Sequence, residues 1–297
     1  MIIMRDCNIY IEIPFCRGHC VHCDSARCGQ NISYLHRYRR ALEIEMESAQ
    51  EDLEEYSVRS VHVRGDSLQL MGSGAMDDML AKMRKQIPNA SQAQWVIDLM
   101  PDEIDELNLF TLQKRNGISR LNLRLFANSK AELMELHAPC TQNIIEHCVE
   151  RLKEKPVEGL DIELVLGTPG QTNESLTNLL NDTIACKPCQ ISFTRFHNNR
   201  LSPAMQREYA EEFPWSETIS CAAKLLLDAG YEREGRSLNF AKPGMLREEC
   251  RPEAKSADRL GFGLGAFTVM DGASYRNTTD YSLYVEHSGE PELIAVF

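Results

Sequence analysis

The chain has no apolar run near the ~20 residues that a membrane span requires, and it has no excess of positive charge. Lys and Arg total 32 against 44 Asp and Glu, a net charge of −12. A surface of that sign disfavours non-specific binding to nucleic acid or anionic lipid, which asks for a basic face. Neither is an expected partner. Glycine (17) and proline (12) are too sparse in 297 residues for a collagen-like or disordered chain. The opening residues, MIIMRDCNIYIEIP, lack the charged start, long apolar core and small-residue cleavage site of a signal peptide. The expected compartment is therefore the cytoplasm. With 43% hydrophobic and 26% charged residues, the composition is that of a soluble globular protein.

Against these shortages stands a surplus of cysteine, 11 in all. An odd number in a reducing compartment argues against a disulfide framework. Closely spaced cytosolic cysteines are more often metal ligands or catalytic thiols, and the remainder serve as small buried hydrophobes.

The order of segments points to an α/β fold. Residues 8–13 alternate apolar Ile9, Ile11 and Ile13 and stop at Pro14, which predicts a strand. After a cysteine-rich loop, Leu35, Tyr38, Leu42, Met46 and Leu53 recur at helical spacing from 33 to about 56. The acidic run on that helix (Glu43, Glu45, Glu47, Glu51, Asp52, Glu54, Glu55) reads as a solvated face. The alternation repeats as strands at 58–63, 95–99, 118–125, 160–166 and 190–196. Helices are expected at 76–86, 102–114, 130–153 with a break at Pro139, 173–185 and 216–229. Six strand–helix units in succession imply parallel strands with right-handed crossovers. A partial (β/α)6 TIM-like barrel is the natural closure, with its site at the C-terminal strand ends; a doubly wound sheet is the competing fold. The part after Tyr231 is loop-rich and Gly-dense at 261–265. We expect residues 1–230 to form the barrel and 231–297 an irregular extension packed on it.

Directly after the first strand stands C-R-G-H-C-V-H-C: Cys16, Cys20 and Cys23 at C-x3-C-x2-C spacing. Three thiolates in one tight loop suit one soft metal centre. A structural zinc normally shows two pairs of ligands, so a zinc-stabilised scaffold is the lesser reading. Three ligands suggest an iron–sulfur cluster with one iron open to a ligand.

The strand, this loop, a helix and repeated βα units together resemble the radical S-adenosylmethionine (SAM) superfamily. More narrowly, Y-I-E-I-P-F-C-x3-C-x2-C-D resembles the group of oxygen-independent coproporphyrinogen III oxidases, heme chaperones and some radical methyltransferases. The likeness runs from Asn8 to about Tyr284. It includes G-I-S-R-L-N-L from Gly117, D-I-E-L-V-L-G-T-P-G-Q-T from Asp161, L-N-F-A-K-P-G from Leu238, G-F-G-L-G-A from Gly261 and R-N at Arg276-Asn277. The resemblance implies a [4Fe–4S] cluster on Cys16, Cys20 and Cys23, with SAM on the fourth iron. Cleavage of SAM would give a 5′-deoxyadenosyl radical that abstracts hydrogen from an organic substrate. It also implies a flavodoxin- or ferredoxin-type electron donor. Family positions that touch SAM map onto Tyr10, His22, Gly65, Ser67, Asp98 and Phe267, and an acidic position of strand five survives as Glu163.

Several positions depart from the family pattern. A run of three glycines and Thr-Pro is replaced by Arg64-Gly65-Asp66-Ser67-Leu68. Side chains there hinder close backbone approach, and Arg64 and Asp66 are candidates for charged contacts to SAM. Second-SAM positions hold Phe126, Ala138 and His197. The usual first-strand His is Glu12, the heme-chaperone His-Asn-x-x-Tyr-Trp motif is absent from 245–253, and the usual C-terminal extension is not expected after Tyr284. The expected function is hydrogen abstraction from a small organic substrate, by analogy a tetrapyrrole. The alternatives are a heme or tetrapyrrole carrier, a cluster-bearing accessory protein with little turnover, or a radical SAM methyltransferase.

Other candidates carry weaker signals. Cys186 and Cys189 form a C-x2-C pair open to redox or metal chemistry. Cys28 is a spare loop thiol. Cys7, Cys140, Cys148, Cys221 and Cys250 read as filler. His137, His147 and His197 are possible pocket residues. The loop Gly167-Thr-Pro-Gly-Gln-Thr172 lacks the Lys and the spacing of a phosphate-binding loop.

Overall fold

The computed structural model describes every residue of the chain except 1–3, 17–19, 24–25, 27, 29–31, 66–71, 106–108, 199–200, 203, 207–212, 288–293 and 296–297. The frame runs β1 (Arg5–Glu12), α1 (Ile32–Ser48), α2 (Gln50–Leu53), β2 (Tyr56–Arg64), α3 (Ser73–Gln86), β3 (Gln94–Leu99), α4 (Leu109–Lys114) and β4 (Arg120–Phe126). It continues α5 (Lys130–Glu135), α6 (Gln142–Glu154), β5 (Leu160–Leu166), α7 (Asn173–Ala185), β6 (Gln190–Arg195) and α8 (Trp215–Asp228). Strands β1 to β6 lie side by side in chain order and every neighbouring pair is parallel. The (β/α) arrangement expected from the sequence is present.

Short strands extend both edges of this frame. On the β6 edge come β7 (Glu232–Arg233) and β8 (Asn239–Ala241), with β8 antiparallel to β6. On the β1 edge, β9 (Asp258–Phe262) runs parallel to β1. Beyond it lie β10 (Phe267–Met270), β11 (Ala273–Arg276) and β12 (Ile294–Ala295), with the helix α9 (Tyr281–Glu286) between the last two in sequence. All belong to one twelve-stranded sheet. Strands of two to five residues are too short to show a period of two, which is why this region reads as irregular.

Local chemistry explains the boundaries. The long helix expected from 33 breaks at Ala49, and the chain re-enters the sheet at Tyr56. The break at Pro139 separates α5 from α6, and His137 adopts a left-handed φ of 49° in the turn between them. Ser129 caps α5 by accepting from the Glu132 N–H, and Thr172 and Ser175 cap α7 reciprocally. The helix expected at 102–114 is realised as a 3-10 turn at Pro101–Glu103 and as α4.

The core lies between strands and helices. Ile9 and Ile11, Val61 and Val63, Ile97 and Leu99, Leu121 and Leu123, and Ile162 and Leu164 are wholly buried there. They occupy alternate positions, so one face of each strand supplies the core and the other face is free for different chemistry.

The acidic run of α1 needs correction. It is not wholly a solvated face, because Glu43 and Glu45 are buried. Glu43 is held by Arg39 at 3.1 Å and Lys82 at 3.0 Å. Glu45 accepts from the Gly263 N–H at 2.9 Å, from Asn277 Nδ2 at 2.7 Å and from the Tyr284 hydroxyl at 2.5 Å. Burial pushes the Glu45 carboxyl up to about 7, against the pull of those three donors. Tyr38, on the same helix, donates to the Glu12 carbonyl and accepts from the Leu264 N–H. Residues from the last third of the chain are thereby fastened to α1.

Gly263 is where this fastening is tightest. Its φ is +102°, and a Cβ there would sit 2.6 Å from the Glu12 carbonyl oxygen and collide with the Tyr38 hydroxyl. We expect Gly263→Ala to lower folding stability by about 2 kcal/mol, read as a lower urea midpoint with an unchanged slope.

Candidate functional site

The second face of the strands is polar, and it lines the barrel lumen. Along β4, Arg120, Asn122 and Arg124 alternate with leucines; along β5, Asp161 and Glu163 alternate with Leu160, Ile162 and Leu164. Asn8, Tyr10 and Glu12 hold these positions on β1, and Ser60, His62 and Arg64 on β2. Parallel strands covered on both faces are usually apolar throughout. Here the polar face stays inside because its members satisfy one another.

Three levels can be followed up the lumen. At the base, Arg120 grips Asp161 through two nitrogens and donates to the Met245 carbonyl at 2.8 Å. Segment 245–251 closes this end. The Arg247 N–H donates to Gln190 Oε1 at 2.9 Å, the Glu248 N–H to Gln94 Oε1 at 3.1 Å, and the Arg247 guanidinium lies between Asp161 (3.8 Å) and Glu249 (3.5 Å).

At the middle level His62 is clamped between two carboxylates, with Nε2 2.8 Å from Asp98 and Nδ1 3.0 Å from Glu249. Burial alone would lower the imidazole pKa, but Glu249 and Asp98 push it up to about 9. Burial would likewise raise the Asp98 carboxyl, yet the charges of His62, Arg124 and Arg64 hold it well below the usual range. Asn122 Nδ2 donates to Asp98 at 2.7 Å and reaches Glu163 at 3.5 Å. This carries the network up to the next level.

At the top is a cavity of about 640 Å³, lined by Glu12, His22, Cys23, Ala26, Arg64, Arg124, Glu163, Thr194, His197, Arg259, Gly265, Phe267 and Arg276. The C-terminal strand ends lead into it, which is where barrels build their sites. Its charges pair across neighbouring strands: Arg64 with Glu12 at 3.0 Å, and Arg124 with Glu163 at 3.8 Å.

The cysteine loop meets this cavity. Cys16 and Cys23 are half-buried and Cys20 is buried. The loop is pinned by the Val21 N–H to the Leu136 carbonyl at 3.0 Å, the Cys23 N–H to the Cys20 carbonyl at 3.3 Å and the Cys28 N–H to the Pro14 carbonyl at 2.7 Å. Cys23 and His22 face the cavity, and His22 packs edge-on against Phe126, 4.9 Å between ring centroids. Among the described residues, no three His, Cys, Asp or Glu side chains form a ready-made metal cage. As a donor set, three thiols on one loop beside an open polar cavity fit a thiophilic cluster better than a closed zinc site.

The other candidates separate cleanly. Glu163 and Phe267 line the cavity. Tyr10 lies below Arg259, whose Cζ is 3.9 Å from its ring centroid. Asp98 sits one level down in the His62 clamp. Gly65 is pressed against the chain itself, since a Cβ there would come within 2.8 Å of the Ile13 carbonyl oxygen. Asp66, Ser67 and Leu68 lie outside the described residues. Arg64, expected to reach for SAM, is engaged with Glu12. His197 lines the cavity, whereas exposed His147 pairs with Asp105 on the surface. Cys186 is buried at the end of α7, donating to the Val149 and Asp182 carbonyls, and burial pushes its thiol up to about 11. Burial also raises the Cys189 thiol. That environment does not suit a reactive C-x2-C pair. Sequence reading missed His62, Arg120, Arg124, Asp161, Arg247, Glu249 and Arg259. The first four carried a signal in the polar alternation of their strands.

No protein-family model matches the chain. It is similar to the heme chaperone HemW of Bacillus subtilis, 22% identical over 294 residues that cover 94% of this chain and 75% of the relative. HemW of Escherichia coli is 23% identical over 288 residues, again covering 94% and 75%. An oxygen-independent coproporphyrinogen III oxidase of Cereibacter sphaeroides is 22% identical over 307 residues, covering 96% and 67%. Among solved structures, coproporphyrinogen III oxidase (HemN) from Escherichia coli, described as a radical SAM enzyme, superposes with a TM-score of 0.71. It is 19% identical, and the match covers 99% of this chain and 73% of that one. The fold is the radical-SAM (β/α) barrel. Among the described residues, no helix is long and apolar enough to cross a membrane.

The His62 clamp has a pH signature. The folded pKa of about 9 lies above the ordinary imidazole value of about 6.5. The stability contributed by His62 is therefore complete below about pH 6.5 and is lost as pH rises through 9. We expect an imidazole titration midpoint near 9 by NMR, and a fall in melting temperature between pH 7 and 10 that His62→Gln removes.

Proposed function

We propose that this chain is a radical SAM protein whose cluster is held by Cys16, Cys20 and Cys23 and whose substrate occupies the cavity above the His62 clamp. The observation that carries this reading is the meeting of the cysteine loop with the polar mouth of the barrel, where Cys23 and His22 share one cavity with Glu12, Arg64 and Glu163. When bound, a [4Fe–4S] cluster with SAM on its open iron would supply one-electron cleavage of SAM and a hydrogen-abstracting radical.

The chain's own residues would do the positioning. Glu163, braced by Arg124 and Thr194, and Glu12, braced by Arg64, offer fixed carboxylates to an ammonium or hydroxyl. Phe267 supplies apolar surface beside them. Asp98, Asn122 and His62 act from beneath by holding Glu163 in place. A small organic substrate of the tetrapyrrole type follows from likeness to the relatives, as does a flavodoxin- or ferredoxin-type electron donor. The barrel 1–230 would carry the chemistry, and the segment after it would supply a cavity wall.

One observation favours a second reading, a cluster-bearing accessory protein with little turnover. Arg64 places a salt-bridged side chain at the cavity, at the start of the segment where the resembled family pattern has a run of glycines. Anaerobic reconstitution with iron and sulfide tests both. We expect an absorption band near 400 nm (roughly, for iron–thiolate centres) that any one of Cys16→Ser, Cys20→Ser or Cys23→Ser abolishes. We also expect 5′-deoxyadenosine to form from SAM with dithionite. A cluster without 5′-deoxyadenosine selects the accessory reading, and no cluster rejects both.

A further inference from the structure

Among the described residues, four guanidinium groups and two carboxylates line the cavity. Arg64 and Arg124 are matched by Glu12 and Glu163. Arg276 Nε donates to the Gly265 carbonyl at 3.3 Å. Arg259 is different. It forms no ion pair among the described residues, and its Nε is buried with no hydrogen-bond partner. Its Cζ lies 3.9 Å from the Tyr10 ring centroid and 6.0 Å from that of Phe267. The neighbouring carboxylate, Asp258, is bound to Arg5. A buried N–H left without an acceptor is unfavourable, and a cation above an aromatic ring is held in place without being neutralised.

The surroundings are built to keep the group there. Arg259 and Gly261 occupy alternate positions of β9 and so share a face. At Gly261 a Cβ would meet the Phe267 backbone within 2.7 Å. The close approach of β9 to Phe267 brings that ring and Arg259 to the same wall. Glu45 and Tyr38 then fasten the loop that follows β9 to α1.

We propose that Arg259 is the receptor for an oxyanion, the carboxylate of an organic ligand bound in the cavity, with Tyr10 and Phe267 flanking it. This rests on the cavity being the substrate site, and it adds that the substrate is an anion whose charged group points to the β9 wall rather than to the β4–β5 wall. A charge-assisted pair with a guanidinium requires an acceptor carrying negative charge. The Phe267 ring on the same wall favours an organic anion over a bare ion.

The test uses the full chain, before and after cluster reconstitution, and follows the arginine 15N ε–H resonance that Arg259→Gln removes. Benzoate is the probe, its neutral isostere benzamide is the control, and inorganic phosphate is the competitor. We expect benzoate to shift the Arg259 resonance saturably and benzamide to leave it unmoved. Phosphate displacing benzoate would support general oxyanion recognition. By calorimetry, Arg259→Gln should weaken benzoate at least about tenfold and Arg259→Lys should weaken it less, with the melting temperature of both variants close to that of the parent. The proposal is overturned by an equal response to benzamide, by benzoate binding unchanged in Arg259→Gln, or by no saturable shift up to roughly 50 mM, beyond the millimolar affinity of a single charged pair. It is also overturned if SAM displaces benzoate, since the guanidinium would then belong to the cofactor. 5′-Deoxyadenosine formation is scored separately. Its loss with benzoate binding intact rejects the radical reading alone, and the reverse pattern rejects the anion receptor alone.

Discussion

Charge that has left water must meet opposite charge, and the interior of this barrel is organised by that requirement. Desolvating one carboxylate or guanidinium costs several kcal/mol unless it is paired and hydrogen-bonded. Each level of the lumen answers this with partners from different strands: Asp161 with Arg120 and Arg247, His62 with Asp98 and Glu249, Glu163 with Arg124. These pairs join β2, β3, β4, β5 and segment 245–251. They also resist slippage of the parallel strands, because a one-residue shift would turn every charge into the apolar layer beneath the helices.

The same requirement explains why the last third of the chain is not an appendage. Without Glu249 one side of the His62 clamp would be empty, and without Arg247 the Asp161 carboxylate would lose one of its two cations. On α1, Glu45 receives the Gly263, Asn277 and Tyr284 donors. That buried carboxylate fixes the loop from which Gly265 and Phe267 reach the cavity. A helix near the start of the chain thus sets the position of a wall made near its end.

Much of the frame was legible in the residue order. Alternating Ile9, Ile11 and Ile13, the helix punctuation at Pro139, and the cysteine spacing each follow from local chemistry, and the six-strand frame came with them. The partnerships were not legible, because they join residues far apart in sequence. Nothing near Glu45 announces Asn277, and nothing near Glu12 announces that Arg64 lies beside it in register. Yet Glu12 and Arg64, which look like two separate departures from the pattern of related proteins, form one ion pair. Polar residues alternating with leucine on β4 and β5 did signal a polar lumen. A surface sheet would show the same alternation, and only the crossover helices on the apolar face decide between the two.

The pairing of β1 with β9 has a consequence in time. Arg5 and Asp258 are 253 residues apart in sequence and bonded in the fold. β1 therefore leaves the ribosome long before β9 and has one edge without this partner until β9 has been made. Contacts of such span form late, after the cost of closing the loop between them has been met. During synthesis the cysteine loop, which follows β1 directly, is bordered on one side by a wall that does not yet exist. Completion of the β1–β9 pairing is the event that sets that wall beside the cavity.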